Sequence, residues 1–314
     1  MPPKILVISG PTASGKTRLA VELALRHGGE VVSADSMQVY RRMDIGTAKP
    51  TPEEMRGIPH HMLDVADPEE DFSVARYVEL AAPCVDDILA RGKLPIVAGG
   101  TGLYLDSLLS GRTFAPFSPD GGLRARLEAR FDALGGGAML GELAAADPEA
   151  AARLHPNDRK RIVRALEVFQ QTGKTISQHN RETRALPLRY DALTLSLAFQ
   201  RREDMWARID RRVDEMMAAG LAEEVRALLD SGVPVRCTAM QAIGYKEMAA
   251  ALRGGGDVCA AAEEIKLRSR QYAKRQLTWF RRTEGAKWLF WGPEPDFEAA
   301  CRTSTKYLEE FGLV

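Results

Sequence analysis

Eight consecutive residues, Gly10, Pro11, Thr12, Ala13, Ser14, Gly15, Lys16 and Thr17, constrain this chain more than any other stretch. They fit G-x-x-x-x-G-K-[ST] in full. The apolar run Lys4–Ser9 precedes them and the amphipathic run Lys16–Arg26 follows. Glycines at the two ends let the backbone curl until several N–H groups face one phosphate. The helix behind adds the positive end of its dipole. Lys16 supplies a mobile cation, and the Thr17 hydroxyl suits Mg²⁺. A strand, a phosphate-binding loop (P-loop) and a helix are therefore expected here. The motif specifies phosphate; it names neither the ester nor the reaction.

The rest of the chain supports an α/β fold with a P-loop NTPase-like parallel sheet. Glu30–Ala34, Leu94–Ala98, Asp191–Phe199 and Lys287–Trp291 read as further strands, with helices expected at Val74–Ala90, Glu263–Phe280 and Phe297–Phe311. Glu203–Leu229 reads as helical and divided at Gly220. Strands alternating with helices make a parallel sheet, and ligands of such sheets sit beyond the carboxyl ends of the strands. Gly10–Thr17, Asp35–Gln38 and Gly99–Tyr104 all follow strand ends, so they are expected to share one cleft. Between residues 114 and 189 the period is helical throughout, interrupted by Gly121–Gly122 and Gly135–Gly137. Asp158–Thr172 is the clearest helix there, with Ile162, Ala165, Leu166 and Phe169 as its apolar stripe and Gly173 as its cap. The expected organisation is a catalytic core from residues 1–113 and 190–314, with an all-helical insertion at 114–189.

Charge narrows the partners less than it first suggests. The 43 basic residues balance 43 acidic ones, which argues against wholesale coating of nucleic acid. Local surfaces are another matter, because steering depends on distribution. Arg153–Arg164 and Lys266–Arg282 are both locally basic, and the second interleaves Tyr272, Trp279 and Phe280 with its cations. That pattern suits an RNA backbone and unstacked bases, or equally a solvated helix face neutralised by Glu263 and Glu264. No apolar run approaches the roughly 18 residues of a membrane span. The start, MPPKILVISG, leads straight into the P-loop and does not read as a signal peptide. Cytoplasmic residence is expected, with Cys84, Cys237, Cys259 and Cys301 as reduced thiols.

Asp35 closes the second expected strand. A carboxylate there serves as general base toward an incoming nucleophile, or caps a turn, or orders Mg²⁺ through water. Position alone leaves these open. The amide of Gln38 matches the donor–acceptor edge of adenine. Thr101, after the third strand, can donate its hydroxyl to phosphate or base, or simply belong to an ordinary strand-to-helix turn. His60 and His61 are adjacent, so on a strand they face opposite ways and do not chelate together.

Joined together, these segments resemble the bacterial tRNA dimethylallyltransferase (isopentenylpyrophosphate transferase) family. The resemblance rests on GPTASGKT (10–17), SADSMQVYRRMDIGTAKP (33–50), IPHHMLDVADP (58–68), VAGGTGLYLDSLL (97–109), HPNDRKRIVRALEVFQQTGK (155–174), RIDRRVDEMMAAGLAEEV (208–225), QAIGYKE (241–247) and RQYAKRQLTWFRR (270–282). It implies transfer of a dimethylallyl group from dimethylallyl diphosphate, with Mg²⁺, to N6 of the adenosine 3′ of the tRNA anticodon (position 37). It implies Asp35 as base, with Lys16, Thr17 and Arg208 on the leaving diphosphate. On the tRNA side it puts Asp35, Ser36, Met37, Gln38, Thr101 and Arg124. Arg159, Lys160, Arg161, Ile162 and Val163 join them, as do Gln241, Gly244, Lys246, Arg270, Lys274 and Arg275. The insertion would clasp the anticodon stem-loop, and the protein would act as a monomer. Three other activities share parts of this pattern: an AMP or ATP isopentenyltransferase, a P-loop small-molecule kinase, and an RNA-binding NTPase switch. The first needs neither the insertion nor the basic helix, the second would consume ATP and yield ADP, and no switch motif supports the third.

Overall fold

The computed structural model describes residues 2–111, 114 and 121–314. In chain order the first elements are β1 (Lys4–Ser9), α1 (Lys16–His27), β2 (Gly29–Ser33), α2 (Pro52–Met55), β3 (His60–His61), α3 (Val74–Ala90), β4 (Leu94–Gly99) and α4 (Gly102–Leu109). The helical stretch follows, with α5 (Gly121–Ala146), α6 (Pro148–Ala151), α7 (Arg159–Thr172) and α8 (Ile176–Arg184). The chain then returns through β5 (Asp191–Phe199), α9 (Arg202–Ala218), α10 (Leu221–Asp230), α11 (Tyr245–Gly254), α12 (Val258–Phe280), β6 (Lys287–Trp291) and α13 (Phe297–Phe311).

The six strands form one parallel sheet in the order β3-β2-β4-β1-β5-β6. β1 sits between β4 and β5, in register from Leu6–Ile96 to Ser9–Gly99 and from Lys4–Asp191 to Ser9–Ser196. β2 and β4 are buried along their whole length and β1 beyond its first residue, as their near-continuous apolar runs require of strands covered on both faces. On one face Leu19, Ala20, Leu23 and Ala24 of α1 close over β1 and β4. On the other, Tyr77, Ala81, Val85 and Ile88 of α3 pack with Val32 and Val97. The loops that leave β1, β2 and β4 therefore emerge at one end of the sheet.

The opposite end carries an ion cluster. Glu30, 2% exposed, opens β2 and accepts bonds from Arg91 (2.8 Å), Lys93 (2.7 Å) and His61 (2.8 Å). The Arg91 guanidinium first, then Lys93 and His61, hold its carboxyl far below the usual range. His60 instead bonds the Ile58 carbonyl oxygen at 2.8 Å. The two imidazoles are thus engaged separately, and among the described residues no group of His, Cys, Asp and Glu could hold a metal ion.

Two compact units are present, Met1–Leu109 with Arg189–Val314, and Ser110–Leu188. Among its described residues the secondary-structure elements of the second are all helices. Leu127, Met139, Leu143, Ile162, Val163 and Leu166 form its core. The expected break at Gly135–Gly137 is a single kink in α5 at Gly135, whose φ is 79°. Gly136 lies so close to the chain at Pro156 that a Cβ would fall 1.9 Å from its carbonyl oxygen. Gly173 caps α7 with φ 69°, as its position suggests.

The apolar stripe of α7 differs from the expected one. Val163 and Val168 are buried with Ile162, Ala165 and Leu166, whereas Phe169 is half-exposed. Three further helices, α2, α4 and α11, have no counterpart in the sequence reading, and α12 starts earlier than Glu263 because Asp257 caps it at Cys259 N (2.8 Å). Among the described residues no helix is long and apolar enough to cross a membrane, and the four cysteines are free thiols.

Candidate active site

The P-loop is a tight curl between β1 and α1. Gly10 adopts φ 151°, Ala13 φ 61° and Gly15 φ 81°, so the loop uses three positive-φ residues, one of them not glycine. Pro11 O receives the Ser14 hydroxyl at 2.8 Å and the Lys16 ammonium at 2.7 Å. Trp291 of β6 clamps the loop from behind, donating its indole N–H to Ser14 O at 2.8 Å. Thr17 follows in the first turn of α1 and is half-buried.

Asp35 stands just past β2. Its Oδ1 accepts the backbone N–H of Met37 at 2.8 Å and of Gln38 at 3.4 Å, so it caps the turn that carries Ser36 and Met37. Thr101, in the turn after β4, fixes the same turn by accepting Ser36 N at 3.0 Å. Burial carries the Lys16 ammonium down to about 7; Arg212 pushes it the same way and Asp35 opposes. Burial also lowers the Arg212 guanidinium, against the attraction of Asp35. Burial and then Asp35 raise the Tyr272 phenol to about 12.

Two helices complete the cleft. On α9, Arg208, Ile209, Arg212, Val213 and Met216 recur at helical spacing and share a face. Arg208 donates to Ala13 O at 3.3 Å. On α12, Ile265, Ser269, Tyr272 and Gln276 make the corresponding stripe. Gln276 is buried and reaches both neighbouring loops, accepting Thr12 N and donating to Gly100 O, each at 2.9 Å. Below it Trp279 covers Gly102, where a Cβ would fall 2.3 Å from the indole. Between these parts lies a cavity of about 330 Å³. Its polar wall includes Thr12, Asp35, Arg212 and Tyr272; Ile209, Val213, Met216, Ile243 and Ile265 line it with apolar groups. Charged and apolar surfaces thus meet in one chamber, which suits an anionic head joined to a short hydrocarbon.

The family described as IPP transferase matches residues 38–283. The chain belongs to the IPP transferase family. A second family, described as isopentenyl transferase, matches residues 3–70, which hold the P-loop. A curated tRNA dimethylallyltransferase of Acetivibrio thermocellus is 45% identical over 309 residues, covering 98% of each chain. Another, from Geobacter sulfurreducens, is 50% identical over 286 residues and 91% of each. A tRNA isopentenylpyrophosphate transferase from Bacillus halodurans, known from its crystal structure, is 42% identical. It covers 98% of this chain and 96% of its own, at a TM-score of 0.73. A eukaryotic dimethylallyltransferase seen acting on tRNA is 31% identical, covers 98% and 78%, and has a TM-score of 0.82.

Within this member of the IPP transferase family, Thr12, Ala13, Asp35, Ser36, Met37, Gln241, Gly244 and Arg275 all border the cavity. Lys246 is exposed on α11. Gln38 does not fit the adenine-reading role assigned to it. Its amide donates to Thr47 O (3.3 Å) and Ala48 O (3.1 Å), and its oxygen accepts from Ser33 (3.1 Å). It anchors a loop instead. In the helical unit, the side chains of Ile162 and Val163 are 0% and 2% exposed in the unit's own core, so they cannot face RNA as expected. Arg124 pairs with the buried Glu167 at 3.0 Å and Arg159 with Asp132, while Lys160 and Arg161 are exposed. Sequence reasoning missed Arg212, and it placed Tyr272 on the basic helix without its place in the cavity wall. Arg212 was legible in principle, one helical turn after Arg208 and beside the apolar Ile209 and Val213.

Proposed function

We propose that the cleft is a tRNA dimethylallyltransferase site that moves a dimethylallyl group from dimethylallyl diphosphate to N6 of adenosine 37. The observation that carries this reading is Gln276. Through it the basic helix α12 is bonded to both the P-loop and the Gly100 turn, so a phosphate site and a candidate RNA surface share one side chain.

The chemistry follows from the groups present. The adenine amine is a weak nucleophile because its lone pair is delocalised. As the C–N bond forms, the N6 proton passes to Asp35, and the electron pair of the breaking C–O bond goes to the diphosphate. Lys16, Arg208, Arg212 and the P-loop amides favour that growing charge, which accelerates reaction only as far as they bind it better late than early. Mg²⁺ fits the donor set at Thr17. A hard cation that keeps several waters needs few protein ligands, and a hydroxyl beside diphosphate oxygens is the expected pairing. When bound it would neutralise part of the diphosphate charge. The apolar residues around Met216 hold the hydrocarbon and keep water from the allylic carbon. The target base leaves its stack to enter, as enzymes acting on bases require. Arg124, Lys160 and Arg161 of the helical unit are read as contacts to the anticodon stem-loop. The protein is read as a cytoplasmic monomer.

Labelled dimethylallyl diphosphate offered with tRNA, AMP or ATP tests the assignment. Label is expected in tRNA as isopentenyladenosine. Label in free nucleotide, or ADP formation without transfer, would replace the reading with a nucleotide isopentenyltransferase or a kinase.

A further inference from the structure

The loop after Tyr40 is organised by side chains from distant parts of the chain. Glu224, on α10, accepts the backbone N–H groups of Asp44 and Ile45 at one carboxylate oxygen, both at 2.8 Å. Its other oxygen accepts Gly46 N at 3.1 Å and the Tyr245 hydroxyl at 2.5 Å. Three successive N–H groups aimed at one anion form a nest, and here the anion is the chain's own. The carbonyl side of the loop is held by Gln38 at Thr47 and Ala48. Lys49, with a side chain only 6% exposed, ties the loop's end to Asp44 (2.5 Å), Asp64 (2.6 Å) and Tyr40 O (2.9 Å).

The consequence lies in what this loop borders. Gly46 and Thr47 form one wall of the cavity, and Gly244, next to Tyr245, contributes to another. Glu224 therefore bonds one wall directly, at Gly46, and ties it to the residue that follows Gly244 in the other. The spacing tolerates no filler: a Cβ on Gly46 would fall 2.5 Å from the Tyr245 ring. The chemistry also demands a carboxylate. Four donors converge on two oxygens, and the NH₂ of a glutamine would have to face at least one N–H.

We infer that Glu224 is a positioning residue for the transfer, setting the width of the chamber in which base and allylic carbon meet, without touching either. This rests on the transferase reading above. Misplacement of reacting groups by about 1 Å can slow a reaction roughly 100-fold, so the effect belongs in kcat. Diphosphate binding at the P-loop is a separate matter.

The test compares wild type, Glu224→Ala, Glu224→Gln and Tyr245→Phe with dimethylallyl diphosphate and tRNA. For both Glu224 variants kcat should fall by about 30-fold or more. The inhibition constant of inorganic pyrophosphate should stay within about twofold. Formate added to Glu224→Ala should refill the nest and restore turnover, but should not help Glu224→Gln. Tyr245→Phe, which removes one of the four bonds, should lower kcat by about threefold. An unchanged kcat in Glu224→Ala overturns the inference. So does a parallel loss of pyrophosphate binding, or failure of formate to restore activity. If Glu224→Ala does not fold, an unchanged kcat in Tyr245→Phe overturns it. A wild type that transfers nothing to tRNA instead overturns the transferase reading itself.

Discussion

The side-chain oxygen of Gln276 accepts the backbone N–H of Thr12 at 2.9 Å, across 264 residues of sequence. The same amide donates to Gly100 O at 2.9 Å, and the side chain is 6% exposed. Replacing Gln276 with Ala leaves a buried carbonyl and a P-loop amide without these partners. An unsatisfied buried group costs about 1–3 kcal/mol. Unfolding in urea should show a loss of that size. Because the P-loop also loses a support, the KM for dimethylallyl diphosphate should rise more than the Kd for tRNA. The reverse order would mean that the bond serves α12 and leaves the phosphate loop indifferent.

Asp35→Asn isolates charge from structure. The turn at Ser36–Gln38 needs an acceptor at Oδ1, and the asparagine oxygen still provides one. What asparagine cannot do is take the N6 proton. General-base loss is worth roughly 10²–10⁴ in rate, so kcat should fall within that range while tRNA affinity changes by less than about twofold. Single-turnover kinetics with excess enzyme would measure it. Turnover near the wild-type rate would remove Asp35 from the role of base and leave it as a cap.

Parts of this architecture were legible because they are local. The strands β1, β4, β5 and β6 read directly from short apolar runs, and the P-loop from the spacing of its glycines, lysine and threonine. A helix around Val74–Ala90 was legible as well. The misses share a cause, which is dependence on partners far along the chain. Gln38 looks like a base reader in its own segment. Only folding reveals that Thr47 and Ala48 occupy its amide. Val163 lies in a basic run outside the expected stripe and is buried through packing against Leu127, Met139 and Leu143 of α5, whereas Ile162 sits on the stripe that local periodicity already marked and Lys160 and Arg161 remain outside. Glu224 is one acidic residue among several on α10, and the nest it fills does not exist until residues 44–46 turn.

Charge pairing separates the cations of α12. Arg270 bonds Asp210 at 2.9 Å and Arg268 bonds Glu264 at 2.6 Å. Lys274 and Arg275 are exposed, with no carboxylate within 4.0 Å among the described residues. A phosphate contact is worth most from a cation that need not leave another partner. Lys274→Ala should therefore weaken tRNA binding and reduce the slope of log K against log salt by about 1. Arg268→Ala should alter that slope much less. Titrations at several salt concentrations would compare the two; equal slopes would place the RNA elsewhere on the helix.

Lys16 makes diphosphate binding depend on pH in a definite direction. Burial, with Arg212 behind it, brings its ammonium down to about 7. An anionic diphosphate beside it favours the charged form and raises that value again. Below pH 7 the free protein already carries the charge, so binding exchanges few protons. Above pH 7 Lys16 is neutral in the free protein, and each diphosphate bound must draw one proton from solvent. Affinity for inorganic pyrophosphate should consequently fall as pH rises from 7 toward 9, by up to about tenfold per unit. Calorimetry in buffers of different ionisation enthalpy would count the proton taken up. Lys16→Met should bind more weakly at pH 7 and lose most of the dependence. In stability the same linkage has the opposite sign: between about pH 7 and the ordinary lysine value the unfolded chain holds the extra proton, so the protein gains stability as pH rises through that window. A pyrophosphate affinity that stays level from pH 7 to 9 would mean that the ammonium is already charged in the free protein.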